Sequence, residues 1–233
     1  MERKNIPNFA NKTLLTKTYQ GHIIYLLSNG LKYKEFNQDN DFYSKDNLLF
    51  MKGLIEQTKE TSAIIAFPIS IVMDSKKLYG IISPYIPGIP LSKMNQQITI
   101  NSLLNQISKL EKEIERLTKK GWFLDDINEN NIITNNQKEG LRLSIIDTDF
   151  YTKRNLPYNE LLRSNRMLLV KSIIESFIPG ILVSKIMKDK KIERSYSLAI
   201  NGLLPATDFL VILINKLNQY QQIDTIESFV KAF

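Results

Sequence analysis

The sequence contains no cysteine and only one histidine, His22. The absence of cysteine excludes disulfides and zinc sites built from thiolates. A single histidine excludes a multi-histidine metal site and, unless His22 itself serves, a Ser-His-Asp triad. Any chemistry must therefore come mainly from carboxylates, amides, hydroxyls and lysines.

Long apolar runs are also missing. No uninterrupted apolar stretch reaches the roughly eighteen residues that a membrane-spanning helix needs. Residues 1–12 lack the apolar core of a secretory signal. We therefore expect a cytoplasmic protein without a membrane span.

The charge balance is basic, with a formal net charge of +7 in a chain that is 43% hydrophobic and 24% charged. These fractions are typical of a soluble, packed protein. The densest basic segment, residues 185–194, is interrupted by acids and is predicted to be a solvated helix or loop. The excess charge suits a ligand with several phosphates. Nucleic-acid binding is the least favoured interpretation, because no basic strip interleaved with aromatic residues is present.

The first hundred residues have the pattern of strands. HIIYLL (22–27) and LKYKEF (31–36), separated by Ser-Asn-Gly, predict a β-hairpin. Residues 46–59 predict one helix. The apolar segments 62–68, 69–74 and 78–83 continue the strand-rich pattern.

A connector divides the chain at residues 84–90, which hold three prolines and one glycine. Such a segment is predicted to be extended rather than helical or part of a central strand. We place the boundary between two lobes there, with an N-lobe at residues 1–84 and a C-lobe at residues 85–233.

The second part of the chain is predicted to be mainly helical. Apolar residues spaced three and four apart between Leu104 and Leu117 predict a long helix, with Asn101 as its N-cap and Gly121 as its end. Residues 131–134 and 141–147 predict two strands joined by a turn at 135–140. Core helices are expected at 158–178, where Pro179-Gly180 ends the helix, and at 206–217.

The polar segment GWFLDDINENNIITNN (121–136) separates the long helix from an apolar strand. Within it, Asp126 and Asn131 stand five residues apart. The predicted hairpin brings Asp147, at the end of the next strand, back towards Asn131. A carboxylate and an amide oxygen that converge in this way suit a hard cation such as Mg²⁺.

A lysine pair accompanies these groups. In LKYKEF, Lys32 and Lys34 share one face of the strand because side chains alternate. A lysine on the inner face of a sheet can meet phosphates as a point charge.

The order and spacing of these motifs resemble those of the protein-kinase-like superfamily. DINENN (126–131) is similar to the catalytic loop, IIDTDF (145–150) to the metal-binding strand end and LKYK (31–34) to the lysine strand. LYGIISPYIPGIPL (78–91) looks like the last N-lobe strand and the hinge. The resemblance implies an α+β, bilobal fold with a small β-rich N-lobe and a larger helical C-lobe.

The resemblance also implies roles for single residues. Asp126 would orient the acceptor hydroxyl or accept its proton, and Asn131 and Asp147 would hold Mg²⁺. Lys34 would neutralise the α- and β-phosphates of ATP. Tyr85 and Ile86, in the segment similar to the hinge, would contact the nucleotide.

The sequence departs from the kinase pattern at several positions. Leu124 and Asp125 replace the His and Arg that precede the catalytic Asp, and Thr148-Asp149 replaces Phe-Gly. Gly21 stands alone where a glycine-rich loop is expected. The helix acid that should pair with the lysine is left open between Asp46 and Glu56. Asp149 is a further candidate metal ligand.

The resulting functional hypothesis is an ATP- and Mg²⁺-dependent phosphotransferase that acts on a hydroxyl of a protein or small molecule. The short segment after Asp147 slightly favours a small acceptor, as in aminoglycoside or choline phosphotransferases, which the sequence also resembles. The alternative is a catalytically inactive, kinase-like (pseudokinase) binding or regulatory module.

Overall fold

The computed structural model describes residues 11–39, 47–73, 77–94, 97–137, 140–178 and 188–232. The chain forms two units, Met1–Ile86 with Ile146–Thr152 and Pro87–Ile145 with Lys153–Phe233. This division follows Ile86, two residues after the boundary expected at residue 84. It also groups Ile146–Thr152 with the first unit, whereas the sequence pattern assigned this segment to the second lobe.

The first unit contains a five-stranded antiparallel sheet in the order β1-β2-β3-β5-β4. Its strands are β1 (Lys12–Lys17), β2 (Ile23–Leu27), β3 (Leu31–Glu35), β4 (Ser70–Met73) and β5 (Leu78–Pro84). The predicted hairpin is confirmed as β2 and β3. Residues 62–68 contain no strand, although their composition suggested one.

Strand β1 was not predicted from the sequence. All six of its residues are exposed, so it lacks the alternation of buried and exposed positions that marks a half-buried strand. It is held at the sheet edge by antiparallel pairing with β2, with an irregularity in register between Leu14 and Thr16.

Helix α1 (Leu48–Gln57) confirms the predicted helix. The side chain of Asn47 caps it by accepting a hydrogen bond from the Phe50 N–H at 3.2 Å. Its apolar residues pack with the sheet and with Phe150 of the returning segment. The buried cluster consists of Phe36, Phe50, Met51, Leu54, Leu78 and Ile81.

The register of β3 against β5 places Lys34 opposite Ile81 and Lys32 opposite Ser83. Both lysines therefore lie on the face that carries the apolar cluster. The two strands approach closely at Gly80, where an added Cβ would lie 2.1 Å from the Lys34 carbonyl oxygen. A glycine is thus required for this register.

The second unit is organised around helices α2 (Ile100–Lys119) and α3 (Tyr158–Phe177). Thr99, not the predicted Asn101, caps α2, because its side chain accepts a hydrogen bond from the Ser102 N–H at 3.3 Å. The predicted end at Gly121 is confirmed, since this residue takes the left-handed conformation (φ +83°) immediately after the C-cap Lys120.

A three-stranded sheet lies in the same unit, with β6 (Ile89–Pro90), β8 (Ile132–Gln137) and β9 (Gly140–Ile145) in the order β6-β8-β9. The predicted hairpin of β8 and β9 is confirmed, but both strands extend into the segment expected to be its turn. The connector was predicted to be extended and outside any central strand; in agreement, Ile89 and Pro90 form an edge strand that pairs with Thr134 and Ile133. The proline is tolerated because this strand is at the sheet edge.

The remaining elements complete the second unit. These are the short strands β7 (Trp122–Phe123) and β10 (Thr152–Lys153), a 3-10 turn (Leu91–Lys93), α4 (Lys190–Ile200), α5 (Ala206–Leu217) and α6 (Ile226–Lys231). The first residue of β10, Thr152, is grouped with the first unit. The predicted core helices are confirmed as α3 and α5. Asp46, the predicted stop at Pro179-Gly180 and the start of the basic segment at 185–187 lie outside the described residues.

The N-cap residue of helix α5 is Pro205, whose side chain cannot cap the helix by a hydrogen bond. Glu111 of α2 supplies the cap instead, accepting a hydrogen bond from the Ala206 N–H at 2.6 Å and another from the Thr207 hydroxyl. A carboxylate at a helix N-terminus also interacts favourably with the helix dipole. No helix in the described ranges is both long and apolar enough to cross a membrane.

Candidate functional site

Lys34 of β3 lies between two carboxylates. Its Nζ donates to Asp147 Oδ1 at 2.9 Å and to Asp149 Oδ2 at 2.8 Å. The Lys34 side chain is only 2% exposed and that of Asp149 is fully buried, whereas the Asp147 side chain is 30% exposed. Lys34 and Asp147, both named as candidate site residues in the sequence, therefore form a direct ion pair.

The protonation states follow from this arrangement. Burial by itself would lower the pKa of Lys34, but the carboxylates of Asp149 and Asp147 raise it above its ordinary value. Burial opposes ionisation of Asp147, yet the charges of Lys34 and Lys32 hold its pKa below the ordinary value. Lys34 is thus protonated and Asp147 ionised at neutral pH. Burial raises the pKa of Asp149 against the opposing charge of Lys34, and the charge of Asp147 adds to the rise.

Gln57, at the end of α1, holds the segment that carries both aspartates. Its amide nitrogen donates to the backbone carbonyls of Tyr151 at 2.8 Å and Asp149 at 3.3 Å. Its amide oxygen accepts from the Thr148 hydroxyl at 3.2 Å. Gln57 is completely buried, so these bonds satisfy an amide that would otherwise be costly to bury.

The helix acid expected to pair with Lys34 was left open between Asp46 and Glu56. Glu56 forms an ion pair with Lys59, and Asp46 lies outside the described residues. Among the described residues, the second carboxylate on Lys34 is that of Asp149, which the sequence pattern suggested as a metal ligand. Helix α1 contributes Gln57, which fixes the backbone of the acid rather than supplying one.

In the second unit, the loop that follows β7 is built around Asp126. The amide of Asn131 donates to the backbone carbonyl and to Oδ2 of Asp126, both at 3.0 Å. The amide of Asn128 donates to Asp126 Oδ1 at 2.9 Å. Asp126 and Asn131, which the sequence singled out by their spacing, are therefore joined by hydrogen bonds, and Asn128 is an additional member of the cluster.

Asp126 and Asp147 share an unusual backbone conformation. Among the described residues, they are the non-glycine residues with positive φ, at 71° and 60° respectively. The left-handed region is unfavourable for residues with a Cβ, although aspartate tolerates it better than most. Strained backbone of this kind tends to persist where a side chain must be aimed for function.

Helix α3 anchors the Asp126 loop through side-chain hydrogen bonds. The side chain of Asn165 accepts from the Leu124 N–H at 2.9 Å and donates to the Thr118 hydroxyl and the Trp122 carbonyl at the same distance. Ser172 donates to the Ile127 carbonyl at 3.1 Å. Sequence reasoning missed Asn165, and its only signal was a polar residue within the apolar pattern of a core helix.

Lys32 lies on the same sheet face as Lys34 but is less well compensated. Its Nζ is 3.8 Å from Asp147 Oδ1, and its side chain is 11% exposed. Burial lowers the pKa of Lys32 despite the opposing charges of Asp147 and Asp149.

Tyr85 and Ile86 directly follow β5, where the hinge was expected. The Tyr85 side chain is exposed and Ile86 is half-buried. Their role in nucleotide binding stays a prediction.

The chemistry of the donor set fits Mg²⁺. Within the described ranges, no group of three or more His, Cys, Asp or Glu side chains could hold a metal ion. Mg²⁺ commonly takes only one or two carboxylates from a protein, with waters and phosphate oxygens completing its shell. In the first unit, Asp147 offers a partly exposed carboxylate. In the second unit, Asn131 commits its amide nitrogen to Asp126, and its amide oxygen is of a type that Mg²⁺ accepts.

The turn between β1 and β2 contains a single glycine, Gly21, and is closed by two backbone hydrogen bonds. The Gly21 N–H donates to the Thr18 carbonyl at 2.9 Å, and the Thr18 N–H donates to the His22 carbonyl at 2.8 Å. His22 follows this turn and is buried, with Nδ1 accepting from the Asn37 N–H at 3.0 Å. Burial and the nearby charge of Lys34 lower the pKa of His22 to about 4, against an opposing effect of Asp147.

No protein-family model matches the chain, and no curated protein matches its sequence. Its structure is similar to the crystal structure of a double mutant of the PknI kinase domain of Mycobacterium tuberculosis. The two share a TM-score of 0.56 at 11% sequence identity, over 90% of this chain and 93% of that domain.

The chain has a protein-kinase-like fold.

Lys34 lies on β3, the third strand of the sheet and the strand that the sequence matched to the lysine strand of the kinase-like pattern. At 11% identity the likeness establishes the fold alone, so the roles of the site residues rest on their own chemistry.

Proposed function

We propose that the protein is an ATP- and Mg²⁺-dependent phosphotransferase that moves the γ-phosphoryl group of ATP to a hydroxyl group of a protein or small molecule. The observation that carries this proposal is the ion pair between Lys34 and Asp147, 2.9 Å long, at the third strand of a kinase-like fold. It places an ammonium group, which can bind phosphate, next to a carboxylate, which can bind a metal ion. Together these groups are suited to binding the phosphates of a nucleotide.

Each residue has a role consistent with its local chemistry. Lys34, kept protonated by its carboxylate partners, neutralises the α- and β-phosphates. Asp147 and Asn131 would hold Mg²⁺, which would supply neutralisation of the charge on the transferred phosphoryl group. Tyr85 and Ile86 contact the nucleotide.

Asp126 acts on the acceptor. Its carboxylate, aimed by the amides of Asn128 and Asn131, orients the acceptor hydroxyl and accepts its proton. The acceptor oxygen forms a bond to the γ-phosphorus, the bond between this phosphorus and the β–γ bridging oxygen breaks, and ADP leaves.

Asp126→Asn tests the catalytic proposal. We expect turnover of labelled ATP with a panel of hydroxyl acceptors to fall by roughly 10²–10⁴-fold, because the proton acceptor is lost while the side-chain size is kept. Asp125→Asn, which changes the exposed neighbouring acid, is the matched control. Equal turnover by the wild type and Asp126→Asn would exclude the proposed role of Asp126.

A thermal-shift titration separates binding from catalysis. A ligand stabilises the folded state by RT ln(1 + [L]/Kd), so MgATP should raise the melting temperature of both the wild type and Asp126→Asn. Stabilisation without turnover for any acceptor would replace the proposed activity with that of a nucleotide-binding module. The absence of any shift would remove ATP as the ligand.

A further inference from the structure

Lys32 and Lys34 stand two residues apart on the same face of β3, yet they differ in their partners. Lys34 donates hydrogen bonds to two carboxylates, at 2.9 and 2.8 Å. Lys32 is 3.8 Å from Asp147 Oδ1, the same oxygen that Lys34 binds at shorter range. The Lys32 ammonium group is therefore removed from most of its water without gaining a carboxylate at hydrogen-bond distance.

Ser83 lies directly opposite Lys32 in the pairing of β3 with β5. Directly opposed residues of an antiparallel pair project on the same side of the sheet, with Cβ atoms about 5 Å apart. Ser83 is 2% exposed, and its hydroxyl has no hydrogen-bond partner in the described part of the chain. A buried hydroxyl without a partner is unfavourable, so its presence beside Lys32 calls for an explanation.

The face of the sheet that carries Lys32 and Ser83 also carries apolar side chains. Ile81, the neighbouring residue of β5 on this face, packs in the apolar cluster, which shows that apolar side chains are accommodated there. Replacing a buried, weakly paired charge by an apolar side chain of similar size is often stabilising. Lys32 and Ser83 thus form an adjacent pair of hydrogen-bond donors that the acceptors of the described residues do not use fully.

We propose that the Lys32 ammonium group and the Ser83 hydroxyl bind an anionic phosphate oxygen of the ligand. The ammonium group supplies a compact positive charge and the hydroxyl a second donor, which together suit a phosphate oxygen. This deepens the proposed function, on which the identification of the ligand as a nucleotide rests. It assigns phosphate recognition to two lysines of β3 rather than to Lys34 alone.

Calorimetric titration of the wild type, Lys32→Met and Ser83→Ala tests this site. The probes are inorganic tripolyphosphate, ATP and adenosine, each without and with Mg²⁺. Loss of a charge-assisted hydrogen bond should weaken tripolyphosphate and ATP binding about 10- to 100-fold in Lys32→Met, and about 3- to 10-fold in Ser83→Ala. Adenosine binding should not change. Lys17→Met, which removes an exposed lysine from the same sheet, should change affinity less than about 3-fold.

Melting temperature without ligand provides an independent readout. We expect Lys32→Met to melt at the same or a higher temperature than the wild type, since it removes a weakly paired buried charge. A lower melting temperature together with unchanged tripolyphosphate affinity would overturn the proposal, because Lys32 would then serve only to neutralise Asp147.

The outcomes separate this inference from the proposed phosphotransferase activity. Lys32-dependent tripolyphosphate binding without turnover of ATP would support the phosphate site while refuting the activity. A wild type that binds tripolyphosphate no better than Lys32→Met refutes the phosphate site, whether or not ATP is turned over. Dependence of tripolyphosphate binding on Lys32, with ATP binding unaffected, would assign the site to a phosphorylated ligand other than the nucleotide.

Discussion

At the scale of single residues, two lysines and two aspartates share one face of the first unit, and their formal charges balance. Their environments make them unequal. Lys34 and Asp149 are almost completely removed from solvent, whereas the Asp147 side chain is 30% exposed. The buried pair fixes the position of the lysine, and the exposed carboxylate is the group available to a ligand.

Asp149→Ala should destabilise the protein strongly. The substitution leaves Lys34 with one carboxylate partner and a small cavity, so we expect the free energy of unfolding to fall by about 3 kcal/mol. Urea denaturation of purified protein measures this difference.

The control for this prediction is Asp39→Ala, which removes an exposed aspartate from the same unit and should change stability by less than about 0.5 kcal/mol. Similar free energies of unfolding for Asp149→Ala and the control would show that Asp149 is not an essential partner of Lys34.

Asn128 and Asn131 both donate hydrogen bonds to the Asp126 carboxylate, but only Asn131 could be identified from the sequence. The sequence pattern identified Asn131 by its spacing, because a five-residue interval between Asp and Asn is a recognisable motif. Asn128 binds the same aspartate, but a single asparagine in a polar loop carries no such signal. Its contribution depends on the left-handed backbone of Asp126, which sequence patterns do not reveal.

At the scale of elements, helix α3 anchors the loop around Asp126, although the two segments are not adjacent in sequence. Asn165 is completely buried, and its three hydrogen bonds tie together the end of α2, the strand β7 and the first residue of the loop. The conformation of the loop is therefore set from a helix about forty residues further along the chain.

Asn165→Ala should both destabilise the protein and disturb the loop. Three buried polar groups, the Leu124 N–H, the Thr118 hydroxyl and the Trp122 carbonyl, would lose a partner. We expect the free energy of unfolding to fall by about 2–4 kcal/mol. Urea denaturation gives the stability change, and MgATP titration gives the effect on ligand binding.

Ser164→Ala is the neighbouring control for this prediction, because Ser164 donates only to the carbonyl of Glu160 one turn earlier in α3. If Asn165→Ala is as stable as Ser164→Ala, the amide of Asn165 is not what anchors the loop.

Prediction of elements from the sequence succeeded where apolar periodicity was strong. Helices α2, α3 and α5 and the two hairpins each bury one face or stripe, and this pattern can be read directly. Strand β1 and the short strand β6 could not be found in this way. Strand β1 is exposed along its whole length, and β6 is a two-residue segment containing a proline, so both exist only because a neighbouring strand pairs with them.

At the scale of the whole molecule, His22 links stability to pH. Its folded-state pKa is lowered from 6.5 to about 4, chiefly by burial, with a further contribution from the charge of Lys34 and an opposing one from Asp147. Protonation at Nδ1 would also remove the acceptor of the Asn37 N–H. Because the unfolded state binds the proton more readily, stability due to neutral His22 is complete above about pH 6.5 and is lost as pH falls towards about 4.

Melting temperatures of the wild type and His22→Gln between pH 7.5 and pH 4 measure this linkage. The difference between the two proteins should shrink as pH falls through this window, because only the wild type loses the contribution of the neutral imidazole. A difference that stays constant over the whole range would show that His22 does not contribute to the acid sensitivity of the fold.

The sequence by itself determined the type of fold and singled out Lys34, Asp126, Asn131 and Asp147 as candidate site residues, because these depend on local periodicity and on the spacing of motifs along the chain. The kinase-like fold is present at only 11% identity to a kinase domain, which shows that an apolar pattern can specify an architecture with few residues in common. Tertiary structure alone decided that Asp149 joins Asp147 as a partner of Lys34, that Gln57 and Asn165 hold the segments around Asp149 and Asp126, and that Lys32 lies opposite Ser83, whose hydroxyl has no partner among the described residues. Each of these depends on which polar groups are buried next to one another. Packing between segments that are distant in sequence determines this.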